Sequence, residues 1–94
     1  MKEEAQILYE NEAVLVTDLR KGEESAYVYL MDSYHHKLCL YAYSFCKDRS
    51  LAADMVQNVL LRLWKKRTSL KINSSLRSFL YRSVYNEFLD QYKH

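Results

Sequence analysis

The sequence predicts an all-α fold, a compact bundle of about four helices, and two observations predict it. The 94 residues contain no proline and a single glycine, Gly22. Turn-rich β folds draw on Gly, Pro, Asn and Asp at their reversals, so this scarcity favours long helices joined by few short loops. Apolar residues also recur at spacings of three and four. The cleanest run is Ala52, Met55, Val56, Val59, Leu60, Leu63 and Trp64, the pattern of one buried helical face. At this length one domain is expected, and a hydrophobic fraction of 49% supplies a modest core.

The elements follow in order. Residues 1–11 are polar without a clear period and are expected to be frayed or disordered, leaving a domain over 12–94. A first helix is expected from about Glu12 to Lys21, stopped by Gly22 in the left-handed conformation that ends many helices. A second begins near Glu23, with acids where the helix dipole favours them, and continues to Cys46 with a bend expected around Ser33–His36. Its apolar set is Ala26, Tyr27, Leu30, Tyr34, Leu38, Tyr41, Ala42 and Phe45. Ser50 is the expected N-cap of a third helix reaching about Arg67. Thr68–Asn73 read as a loop. Asn73 or Ser74 would cap a last helix from about Ser75, with Phe79, Leu80, Ser83, Val84 and Glu87 on one side and Tyr81, Tyr85 and Tyr92 towards the other.

No stretch approaches the ~18 uncharged apolar residues of a membrane span. The N-terminus, acidic at Glu3 and Glu4, lacks the apolar core of a signal peptide. The expected location is the cytoplasm. Cys39 and Cys46, seven apart on one helix, would lie ~10 Å apart, too far for a disulfide. They share a face with His35, but one helix cannot wrap ligands so spaced around one ion, so no metal is expected. With one glycine there is no phosphate-cradling loop, and no Ser/His/Asp or paired-carboxylate arrangement is present. Neither a cofactor nor an enzymatic activity is expected.

The net charge of +2 conceals an asymmetry: residues 1–32 sum to −5 and residues 47–82 to +7. A basic half suggests a polyanionic partner, although a solvated basic face gives the same count. Within the third helix, Asp54, Gln57, Asn58, Leu61 and Lys65 share an arc of about 100° opposite the apolar stripe. A leucine ringed by polar groups has the form of an interface centre with a polar rim, or of an ordinary solvent face carrying one apolar residue. Lys65, Lys66, Arg67, Lys71, Arg77 and Arg82 bracket the 68–74 loop, and Tyr81 and Tyr85 follow one turn apart. Cations for phosphates and aromatic faces for unstacked bases are what a single nucleic-acid strand requires. The same tyrosines could instead serve the core. Asn86 and Asp90, four apart, could bond each other, hold the loop or, for Asn86, meet a base edge; a structural role is favoured for Asp90.

Three segments in one order carry a resemblance. The run Asp54-Met55-Val56-Gln57-Asn58-Val59-Leu60-Leu61-Arg62-Leu63-Trp64 is similar to the D-x-V-Q-x-V-F-x-x-x-W signature of sigma factor region 2.2. The segment from Ser75 to Asp90 resembles the S-F-x-x-W-L-Y-R-I-x-x-N-x-x-x-D stretch of regions 2.3 and 2.4. Upstream, Leu19 to Tyr27 resembles the opening of region 2.1, and Tyr34 fits its tyrosine. Over roughly residues 14–93 the chain resembles region 2 of a bacterial extracytoplasmic-function (ECF) sigma factor. There are departures: Asn58 stands for the usual acid, Leu60 for Phe, Phe79 for Trp, and Ser83 for an apolar residue, which would loosen the last helix.

The resemblance implies a transcription initiation module. The arc of Asp54, Gln57, Asn58, Leu61 and Lys65 would grip the clamp-helix coiled coil of the RNA polymerase β′ subunit. The loop residues Leu70, Lys71, Ile72 and Asn73 would pocket a flipped base of the promoter −10 element. Lys66, Arg67, Arg77, Tyr81, Arg82, Tyr85 and Asn86 would line the route of the non-template strand. A family member of full length has a second domain, region 4, for the −35 element. This chain reaches His94 before any helix-turn-helix, so the expectation is a fragment or a partial gene product. The alternative is a protein-interaction module that binds an anti-sigma factor or other regulator and never meets DNA. A duplex-binding helix-turn-helix suits the long third helix and its loop poorly.

Overall fold

The computed structural model describes residues 7–92. Four α-helices make up most of them: α1 (Glu12–Lys21), α2 (Glu24–Cys46), α3 (Arg49–Lys65) and α4 (Leu76–Tyr92), with a 3-10 turn at Arg67–Ser69 between the last two. The long α2 packs along α3, and α4 lies across both. The buried side chains form one core. Leu15 and Leu19 come from α1, Ala26, Leu30, Leu38 and Ala42 from α2, Ala52, Met55, Val56, Val59, Leu60 and Leu63 from α3, and Leu76, Leu80 and Val84 from α4. The predicted stripe of α3 is thus the centre of the bundle.

Each helix end has a local cause, and some differ from the sequence expectation. The side chain of Asn11 accepts from the Ala13 and Val14 amides and starts α1. At its other end, Gly22 (φ +81°) donates to Leu19 O and Glu23 donates to Asp18 O, a paired closure that requires the left-handed glycine. Asp48, not Ser50, caps α3 by accepting from the Leu51 amide at 3.0 Å. A carboxylate there also meets the positive end of the helix dipole. Ser75, not Asn73 or Ser74, caps α4, its hydroxyl accepting from the Ser78 amide at 3.1 Å. α2 runs unbroken through Ser33–His36 as a single element of 23 residues, with neither Gly nor Pro to break its ladder.

The segment expected to be frayed is ordered over its described part. Residues 7–9 are helical, and Tyr9 is buried. Its hydroxyl donates to Asp18 Oδ2 at 2.9 Å and pairs with Ser25 Oγ at 2.9 Å, and its ring lies 5.5 Å from that of Tyr29. Burial raises the Tyr9 phenol above its usual pKa, with Ser25 opposing and Asp18 adding to the shift. Residues 1–6 of that segment lie outside the described ones.

Gly22 also fixes the loop after α3. A Cβ added there would lie 3.0 Å from Arg67 Nε, and the Arg67 guanidinium stacks 4.4 Å from the centroid of the Trp64 ring. We expect Gly22→Ala to lower stability by about 1–2 kcal/mol, the cost of a left-handed L-residue. Urea denaturation followed by circular dichroism measures it. Because Trp64 is the single tryptophan, its emission should shift in the folded variant as Arg67 is pushed off its face.

Candidate functional site

The arc on α3 is exposed as the spacing predicts. Asp54, Gln57, Asn58, Leu61 and Lys65 all reach solvent, and Leu61 is 44% exposed between them. The arc is not uniformly free, however. At its α4 edge the Asn58 amide donates to Glu87 Oε2 at 3.2 Å. Arg62, one turn on, donates to Glu87 Oε1 at 2.6 Å. Neither Arg62 nor Glu87 was singled out for this surface by sequence, because the pairing joins two helices 25 residues apart.

The basic loop divides into residues that face outward and residues that hold it down. Lys66, Lys71 and Asn73 are exposed. Leu70, expected to meet a base, is instead part of the core at 7% exposure, and Arg20 Nε on α1 donates to its carbonyl at 2.9 Å. Ile72 packs half-buried against the core. Arg67, expected to neutralise phosphate, is stacked on Trp64 and donates to its carbonyl at 2.8 Å. Tyr27 covers that indole as well, at 4.7 Å between centroids. The stack and this bond hold the guanidinium against the end of α3.

Beside the loop lies a shallow pocket of about 290 Å³. Val59, Leu63, Leu70 and Phe79 form its apolar floor, with Arg62, Lys66, Lys71, Ser69 and Ser83 around it. Its volume falls just below the roughly 300–1,000 Å³ of small-ligand sites. The Ser83 hydroxyl donates back to Phe79 O, one turn earlier on α4, at 2.8 Å.

The expected strand-lining residues separate on α4. Tyr81 is half-buried, 4.8 Å from the Tyr41 ring and with Arg77 5.2 Å over its own. Tyr85 is 40% exposed and meets Phe45 only edge-on at 5.4 Å. Phe45, Phe88 and Tyr92 extend the same aromatic seam between α2 and α4. Arg82 and Asn86 are exposed on the flank nearer the pocket, with Arg82 donating to Ser74 Oγ at 3.1 Å. Asp90 is exposed, so its expected structural role finds no support in burial.

Elsewhere, Cys39 and Cys46 are free thiols, and burial raises the pKa of Cys39. His35 lies 3.9 Å from the Cys39 sulfur, but no three potential metal ligands cluster among the described residues. No described helix is long and apolar enough to cross a membrane.

The family model for sigma-70 region 2 matches residues 30–94. The chain belongs to the sigma-70 region 2 family. The region 2 domain is also 34% identical over 83 residues to ECF RNA polymerase sigma factor SigG of Mycobacterium tuberculosis, in strains CDC 1551 / Oshkosh and H37Rv. The aligned part is 88% of this chain and 22% of each relative, so the chain spans about a fifth of the length of the curated relatives it matches. No solved structure matches it. The family match spans the two motif segments of residues 54–64 and 75–90.

Proposed function

We propose that this region 2 domain docks on the RNA polymerase core through the Leu61 arc and holds the non-template strand of a melted −10 element along the loop and α4. The observation that carries the reading is the placement of two unlike surfaces on adjacent helices. On α3 a leucine stands exposed within a polar rim. Next to it, exposed Lys66 and Lys71 border an apolar pocket of about 290 Å³, large enough to admit one base. The first suits a protein partner, because a buried apolar centre with a polar edge is how interfaces are built. The second suits an unstacked base with its phosphates, since capture of a flipped base needs a snug slot and cations nearby. Binding energy spent on extruded bases would keep the duplex open, so no catalytic group is required.

The decisive experiment is titration of the 94-residue chain with RNA polymerase core free of sigma, followed by fluorescence anisotropy. Saturable binding through the β′ coiled coil is expected, and competition by an isolated β′ coiled-coil fragment should displace it. Binding that is absent at micromolar concentration, or indifferent to the competitor, would remove this reading.

A further inference from the structure

Glu87 is the one charged side chain that is buried among the described residues, at 3% exposure. Both of its oxygens are engaged. Oε1 accepts from Arg62 Nη2 at 2.6 Å, and Oε2 accepts from Asn58 Nδ2 at 3.2 Å and from Gln91 Nε2. A buried carboxylate with fewer partners would be strongly destabilising. An apolar residue at the same place could close the α3–α4 seam without desolvating a carboxylate, and half-exposed Arg62 would then be left to solvent rather than as a buried unpaired charge. Stability alone therefore does not account for Glu87.

Its partners suggest what does. Asn58 and Arg62 stand one turn apart on the α4 edge of the Leu61 arc, and Arg62 keeps half its side-chain surface in solvent. A carboxylate only accepts hydrogen bonds. It therefore dictates that the Asn58 amide turns its NH₂ inward and leaves Oδ1 as the group offered to a partner. Likewise it holds one Arg62 nitrogen and leaves the rest of the guanidinium fork outside. Two long or ambiguous side chains are thereby fixed before any partner arrives, which lowers the ordering cost of association.

We propose that Glu87 is a positioning residue for the polymerase-facing surface: from α4 it sets the orientation of Asn58 and Arg62 on α3. This rests on the reading that the Leu61 arc meets polymerase. It also ties that surface to the helix that carries Tyr81 and Tyr85, through one carboxylate.

The test compares affinities for polymerase core and for a −10-like single strand, with stability measured in urea. Glu87→Leu should stay folded, since half-exposed Arg62 can return to water, yet bind core about tenfold more weakly per folded molecule, the effect of losing hydrogen bonds to a charged group. Its affinity for the strand should fall less than its affinity for core, since Glu87 reaches the base pocket only through Arg62 but holds both Asn58 and Arg62 at the docking arc. Asn58→Asp sets a second carboxylate against Glu87 and should also weaken core binding about tenfold. The double variant N58D/E87Q restores one carboxylate and one amide in exchanged places, and should recover to within about threefold of the parent. Core affinity unchanged in folded Glu87→Leu overturns the proposal. So does a parallel loss of core and strand binding that follows the unfolded fraction, which marks a purely structural role. If the parent itself fails to bind core, the docking reading falls first, and the proposal falls with it.

Discussion

Leu61→Asp is expected to reduce affinity for polymerase core by about a thousandfold or more while leaving helix content unchanged. Leu61 is exposed on a helix whose opposite side holds the core, so the substitution removes no buried contact. Its intramolecular cost is about half a kcal/mol of helix propensity. At an interface centre the sum differs. Loss of a buried leucine side chain removes about 1.5–3 kcal/mol, and an unpaired carboxylate in its place adds several more. A total above about 4 kcal/mol exceeds three decades in affinity. Leu61→Ala should lose only the first contribution, about one to two decades. Its neighbour gives the contrast: Leu60 is fully buried, so Leu60→Asp should unfold the domain. Anisotropy titrations alongside circular dichroism separate the cases. Core affinity for Leu61→Asp within tenfold of the parent would show that polymerase meets another face.

That this prediction could be framed at all reflects what helical periodicity makes legible. The α3 stripe is regular because one face packs against α2 and α4 together, so the polar arc containing Leu61 is what remains. Features that depend on contacts between distant segments were not legible. Leu70 reads as a loop residue, but the Arg20 bond to its carbonyl draws it into the core from 50 residues away. Arg67 reads as a free cation because the sequence does not show that Trp64, Tyr27 and Gly22 converge on it. Glu87 falls on the apolar side of α4 by spacing, yet only the position of α3 reveals why a carboxylate is tolerated there. The capping errors at Asp48 and Ser75 are of a different kind. Both segments hold more than one good capping residue, Asp48 and Ser50 in one and Asn73, Ser74 and Ser75 in the other, and local propensity does not choose among them.

The same convergence of distant side chains ranks the two tyrosines offered to the strand. Tyr85→Ala is expected to weaken binding of a −10-like single strand by about tenfold to a hundredfold, following the roughly 1–3 kcal/mol of one base–aromatic stack. Tyr85 forms a T-shaped pair with Phe45, lies 6.3 Å from Phe88 and keeps 40% of its surface in solvent, so part of the ring is open to a base and the fold loses little. Tyr81 is different: Tyr41 lies against its ring and Arg77 over it. Tyr81→Ala should therefore lower stability, with a smaller change in strand affinity per folded molecule. Salt provides an independent axis. Exposed Lys66 and Lys71 border the pocket, and each phosphate contact removed should flatten the slope of log affinity against log salt by about 0.7. Replacing both lysines by alanine should then flatten it by about 1.4, whereas Tyr85→Ala should shift the line without changing its slope. Replacing Arg67 should change the slope least, because its guanidinium is committed to Trp64. A strand affinity indifferent to Tyr85, Lys66 and Lys71 alike would favour a module that binds only proteins, with the basic loop serving solubility.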